Sequence, residues 1–227
     1  MDYSEIYYLK EDALELEDFK AMDYYAVKNY ALPIELMMEN AGLQLANLIA
    51  DTIDVYQTIK IGIGNGNNGG GGLVAARRLA AWGYSVYLDV FTELTQDLVK
   101  TQFERAIKFG AKNENIDNPN IWVDAYLGFS QKLPLRENLF GRITEANSSK
   151  AIRISLDIPT GFLGDTKKIF FNANKVLTLA APKRILYNLP LETEIYVADL
   201  GIPKAVYDKF KNKILPFNQS NIIKLKR

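Results

Sequence analysis

Ile59-Lys60-Ile61-Gly62-Ile63-Gly64-Asn65-Gly66-Asn67-Asn68-Gly69-Gly70-Gly71-Gly72 decides the fold, and Leu73-Val74-Ala75-Ala76-Arg77-Arg78-Leu79 follows it directly. The run from Ile59 to Ile63 reads as a buried strand, and the small and apolar residues after Gly72 read as a helix. Between them lies a turn almost free of side chains. Glycines let a backbone approach a ligand closely and take up positive φ, while a helix start offers unpaired N–H groups and partial positive charge to a phosphate. The ligand that such a turn suits is a nucleotide.

At 227 residues and 48% hydrophobic content the chain suits one well-cored domain over 1–227. Lys plus Arg and Asp plus Glu both number 27, so no net field draws it to nucleic acid or an anionic membrane. No apolar run nears the ~18 residues of a membrane span, and Met1-Asp2-Tyr3-Ser4-Glu5 is acidic rather than a basic, apolar leader. A cytoplasmic location is expected, with neither nucleic acid nor membrane as partner. Cys and His are both absent, which removes disulfides, thiolate nucleophiles, zinc–thiolate sites and imidazole chemistry. Acid–base work falls to Asp, Glu, Lys, Tyr or water, and any metal must be held by oxygen.

Residues 1–16 are acidic and mixed and read as a loosely ordered tail. Glu17 to Tyr30 reads as a helix, and Pro33 opens a second one reaching Ala50, since proline suits a first helical turn. After the glycine turn the pattern alternates. Strands are expected at 84–91, 121–124, 152–157, 175–180 and 194–198, with helices at 95–109, 135–146 and from about Pro203. That alternation predicts a mostly parallel sheet covered by helices on both faces.

In open sheets of this kind a ligand sits beyond the carboxyl ends of the strands, where strand order reverses. Three turns fall there: the glycine turn, the turn running from Val123 to Ser130, and Leu156-Asp157-Ile158-Pro159-Thr160-Gly161. Taken singly, Asp124, Asp157 and Thr160 suit helix caps or turns equally well, and Asn68 suits an Asx turn. Together they favour one crevice lined with oxygens. Gly64-x-Gly66-x-x-Gly69 with Asp89 at the end of the next strand also fits a dinucleotide fingerprint and an NAD-dependent dehydrogenase. Against that stand Asn67-Asn68, the four consecutive glycines, and a helical pair ahead of a strand that usually opens such domains.

Met38-Glu39-Asn40-Ala41-Gly42, Gly66-Asn67-Asn68-Gly69-Gly70, Val123-Asp124-Ala125, Asp157-Ile158-Pro159-Thr160-Gly161, Ala181-Pro182-Lys183 and Ala198-Asp199-Leu200-Gly201-Ile202-Pro203 together resemble the NAD(P)H-hydrate epimerases, the YjeF N-terminal domain family. The resemblance runs from about Glu17 to Pro203. It implies a Rossmann-like three-layer α/β/α sandwich that interconverts the R and S epimers of hydrated NADH or NADPH, so that a separate S-specific dehydratase can restore the coenzyme. It also implies a homodimer, for which Tyr24, Tyr25, Leu36, Met37 and Met38 are the expected surface.

By the same resemblance Asn68, Asp124 and Thr160 match potassium ligands, with Thr160 standing where the family usually has Ser. Asn67, Asn68, Gly69, Gly70 and Gly71, then Gly128, Phe129, Ser130, Gln131, Lys132, Leu133 and Pro134, and finally Asp157 match positions that contact the hydrated coenzyme. Asp124 is the expected acid–base group and Lys183 its electrostatic partner. Two positions depart from the pattern: Gly71 replaces an Asp, and Ser130 replaces a second glycine after Asp124. Gly71 motivates an alternative, a catalytically weakened member that binds a nucleotide-like metabolite or a protein partner in the same crevice.

Overall fold

The computed structural model describes residues 3–165 and 167–227. Two helices, α1 (Leu16–Tyr30) and α2 (Ile34–Ala50), precede β2 (Thr58–Ile63), α3 (Asn67–Ala81), β3 (Ser85–Val90), α4 (Asp97–Lys108), β4 (Ile121–Ala125) and α5 (Glu137–Ser148). Then come β5 (Ile152–Leu156), β6 (Lys175–Leu179), β7 (Glu194–Ala198), α6 (Lys204–Lys209) and β8 (Ile222–Lys226). Pro33 caps α2 in extended conformation rather than lying inside it, because its fixed φ suits the entry to a helix.

The strands form one sheet in the order β1-β8-β7-β6-β5-β4-β2-β3, β1 being Ser4–Tyr7. Every pairing is parallel except β7 with β8. The chain leaves β2 to build β3 on one side and returns to build β4 on the other. The crevice of this sheet therefore opens between the carboxyl ends of β2 and β4.

Alternation along the strands fills two cores. Ile121, Val123 and Ala125 of β4 pack into the layer that holds α2, α3 and α4, while Trp122 faces the layer of α5 with Leu139 and Ile143. Phe19, Met22 and Ala26 of α1 join Met37, Ala41, Val206 and Tyr207 in a third cluster that fastens α1 beside α6.

Two expectations are corrected. The stretch 1–16 is not a loose tail over its described part: β1 adds a parallel edge strand to β8, Lys10–Asp12 forms a 3-10 turn, and Leu14 N donates to Pro182 O at 3.0 Å. Residues 1 and 2 lie outside the described residues. Met37 and Met38 are buried rather than available to a second subunit, leaving Tyr24 and Leu36, each 54% exposed, and the half-buried Tyr25 from the expected dimer surface. Among the described residues no helix is long and apolar enough to cross a membrane.

Candidate functional site

At the crevice between β2 and β4 lies a cleft of about 540 Å3. Gly66, Asn67, Asn68 and Gly71 form one side, Tyr126 to Gln131 and Asp157 the opposite one. The N-terminal helices close it with Asp23, Tyr24, Ile34, Met37, Met38 and Ala41. Sequence reasoning missed this third wall. Its signal was Asp23, a lone acid between the buried Met22 and Ala26 in a helix whose apolar residues recur every three to four positions.

Gly66 is the extended N-cap of α3, no side chain caps it, and the first backbone bond into the helix runs from Gly70 N to Gly66 O at 3.0 Å. The N–H groups ahead of Gly70 have no partner within the helix, an arrangement that suits an anion. Gly69 and Gly70 do not reach the cleft. A Cβ on Gly69 would lie 2.0 Å from Gly64 O, and one on Gly70 2.5 Å from the Met38 side chain, so these glycines let the turn and α2 pack closely. Gly71 does line the cleft, one turn into the helix, where an added Cβ would sit 3.0 Å from Leu156 Cδ2. Asn65 ties the turn to the start of α4 by accepting from Thr95 N at 2.7 Å.

Asp124 is 0% exposed and does not line the cleft. Its Oδ1 accepts from Thr160 Oγ1 at 2.6 Å and Tyr126 N at 3.2 Å, and its Oδ2 from Thr160 N at 2.7 Å and Ser155 Oγ at 3.0 Å. Burial pushes its pKa up to about 6, against the downward pull of those donors. Both oxygens are occupied beneath the surface, which corrects the expectation that Asp124 exchanges protons with a ligand.

Asp124 and Thr160 thus touch directly. Asn68 stands one bond further on, its Nδ2 donating to Leu127 O at 2.7 Å and Leu156 O at 3.2 Å, while Leu127 N donates to Thr160 Oγ1 at 3.1 Å. Among the described residues no Lys or Arg pairs with the Asp124 carboxylate, and no group of three or more His, Cys, Asp or Glu could hold a metal ion. A fully buried carboxylate lacking a countercharge, bonded by the Ser155 and Thr160 hydroxyls with the Leu127 and Leu156 carbonyls gathered on Asn68 beside it, fits a hard monovalent cation rather than a transition metal.

Asp157 and Lys183 form a second buried pair, 1% and 0% exposed, with Lys183 Nζ 2.9 Å from Asp157 Oδ1. Lys183 also donates to Thr178 Oγ1 at 2.8 Å and Leu179 O at 3.0 Å, and lies 3.5 Å from the centroid of the Phe19 ring. Burial pulls its pKa down, opposed by Asp157 and Asp23. Lys183 is therefore sealed below the cleft and holds Asp157, not a ligand. Asp157 takes a left-handed backbone, φ 71°, which aims one oxygen at Lys183 and lets the other accept from Phe129 N at 2.9 Å. Of the stretch expected to contact the coenzyme, Gly128, Phe129, Ser130 and Gln131 line the cleft, and Lys132, Leu133 and Pro134 do not.

Asp89 does not serve as the ribose acid of a dehydrogenase. It accepts from the Tyr126 hydroxyl and pairs with Arg142 at 2.8 Å, so it fastens β3 to the β4 turn and α5.

A family model described as YjeF-related protein N-terminus matches residues 34–185. The chain is 34% identical over 208 residues to an NAD(P)H-hydrate epimerase of Rhodopirellula baltica, covering 84% of this chain and 85% of that one. It is 31% identical over 220 residues to a bifunctional NAD(P)H-hydrate repair enzyme of Thermofilum pendens, covering 88% of this chain but only 42% of that enzyme's length. The crystal structure of the yeast protein ynu0 superposes with a TM-score of 0.85 at 22% identity over 94% of this chain and 99% of that one, a likeness of fold.

Proposed function

The chain belongs to the family of the YjeF-related protein N-terminus, and from that membership we propose that it is an isomerase interconverting the R and S epimers of hydrated NADH or NADPH in nicotinamide nucleotide repair. The observation that carries the reading is the joining, at one cleft, of an uncapped glycine-rich helix N-terminus with a wall of aromatic, amide and carboxylate groups. The helix end suits the coenzyme's phosphates, and the wall carrying Phe129 and Asp157 suits its ring.

The chemistry needs little from the protein. Hydrated nicotinamide carries a hydroxyl at C6 beside the ring nitrogen, and the nitrogen lone pair expels it once a general acid protonates the leaving oxygen. The resulting iminium is planar, so water returns to either face. No imidazole is required, in keeping with a chain that has no His.

A potassium ion held by Asp124, Thr160 and Asn68 belongs to this proposal, supported by the uncompensated Asp124 carboxylate and the oxygens around it. When bound it supplies positive charge beneath the coenzyme's anionic groups. Asn68 would offer its amide oxygen by a half-turn of the side-chain amide. A separate S-specific dehydratase would consume the product, and a homodimer acting in the cytoplasm completes the proposal.

The test supplies purified protein with the R-hydrate and an S-specific dehydratase and follows recovery of NADH absorbance. Recovery faster than the uncatalysed rate is expected. Binding of intact NADH with hydride transfer to a carbonyl substrate, and no recovery from the R-hydrate, would instead return the dehydrogenase reading.

A further inference from the structure

Two carboxylates line the cleft, and they are held very differently. Asp157 is bound by Lys183 and Phe129 N on its two oxygens. Asp23 has no hydrogen bond and no ion pair among the described residues, though it is half-buried on the face of α1 that packs inward. One turn before it on that face stands Phe19, whose ring carries the Lys183 ammonium. Asp is a weak helix former, and burying a carboxylate without a partner costs stability. The fold thus takes no hydrogen bond from Asp23 and bears a penalty for it, which marks a group placed for chemistry.

Taking the epimerase reading as premise, we infer that Asp23 is the catalytic acid–base group, donating its proton to the C6 hydroxyl of the hydrated coenzyme and recovering one from the returning water. As Asp23 gives up its proton, the C6–O bond breaks, water departs and the nitrogen lone pair forms the C=N bond of the iminium. Water then adds to the opposite face of C6, the C=N electrons return to nitrogen and the released proton goes to the Asp23 carboxylate. Atoms, electrons and charge balance, and the acid is regenerated.

The surroundings suit the role. Burial raises the Asp23 pKa to about 6, Lys183 lowers it and Asp157 raises it. A useful fraction is therefore protonated near neutrality, as a general acid requires. The Lys183–Asp157 pair presents little net charge to Asp23, which lets its proton come and go.

The experiment compares wild type, Asp23→Asn and Asp23→Glu in the coupled recovery assay from pH 5 to 8.5, subtracting uncatalysed epimerisation, with titration of the S-hydrate and thermal melts alongside. Wild-type kcat/KM should fall as pH rises above about 6, because the cycle begins with the protonated acid. Asp23→Asn should lose kcat by about a hundredfold or more, bind the S-hydrate within about twofold of wild type and lack the alkaline fall. Asp23→Glu should recover part of the rate and the pH dependence. Near-normal turnover in Asp23→Asn, or a flat wild-type profile, overturns the inference while leaving the epimerase reading intact. A wild-type protein that recovers no NADH from the R-hydrate overturns both.

Discussion

Replacing Asp124 by Ala tests the buried centre of the site. The substitution orphans the backbone N–H groups of Tyr126 and Thr160, each costing about 1–3 kcal/mol when buried without a partner. The Ser155 and Thr160 hydroxyls can turn to other acceptors and contribute less. Against this, removing a carboxylate whose pKa stands at about 6 rather than 3.8 relieves a burial penalty of about 3 kcal/mol. Without a cation at pH 8 the two effects nearly cancel, and the variant should lie within about 3 kcal/mol of wild type. The sign with pH follows from the raised folded-state pKa. The stability that this group contributes is present below pH 3.8 and is lost as pH rises through about 6. A potassium ion beside the carboxylate restores it. At a concentration one hundred times its dissociation constant the ion adds about 2.7 kcal/mol, or roughly 5–10 °C in Tm for a chain of this size. Thermal melts in potassium chloride and choline chloride at equal ionic strength should therefore separate at pH 8 for wild type, converge below about pH 4 as the carboxyl becomes neutral, and coincide at every pH for Asp124→Ala. Equal wild-type melting in the two salts at pH 8, or the same potassium shift in the variant, would refute the assignment.

Two further outcomes follow from the geometry. Lys183→Met should cost about 3–5 kcal/mol in urea denaturation by leaving Asp157 buried and unpaired, and adding Asp157→Asn should return much of that loss; additive losses in the double variant would contradict the pairing. Gly71→Asp should tighten binding of hydrated coenzyme about tenfold through one charge-assisted hydrogen bond to a ligand hydroxyl, with a small drop in Tm because Leu156 must yield to the new Cβ. Unchanged affinity in a ligand titration would remove Gly71 as the point of departure from the family and with it the support for a weakened member.

Much of this architecture was legible because its signals are local. Pro33 and the apolar central strands each place an element through their own backbone preferences, and the observed bounds differ from the expected ones by a residue or two, except that α3 begins at Asn67 and takes the four glycines into the helix rather than starting after Gly72. The first and last strands were not legible. Ser4–Tyr7 and Ile222–Lys226 become strands by pairing with partners distant in sequence, β1 with β8 and β8 with β7, a signal that no local stretch carries. Asp124 was read as an acid–base group open to a ligand, although its own strand held the correction. It shares a face with Trp122 in a strand buried on both sides, so its carboxylate had to be buried too. Asp23 escaped notice because an acid in an amphipathic helix reads as surface until the helix is docked against a cleft.

The buried charges and the cleft divide the work between them. Asp124 grips Tyr126 N and Thr160 N and so locks the β4 turn to the β5 turn. Asp157 grips Phe129 N and locks the same two turns a second time, at the wall of the cleft. Asn68 binds Leu127 O and Leu156 O and brings the start of α3 into register with both. Three loops from three strands are thus fixed by side chains that spend their hydrogen bonds on backbone, which is how a site keeps its donors aimed without reorganising around a ligand. The same commitment leaves those side chains unfit for proton transfer, since each oxygen already has its donors. The mobile proton must come from outside the lattice of bonds, and among the described residues the carboxylate that meets that condition at the cleft is Asp23, carried in by a helix that the sheet does not need.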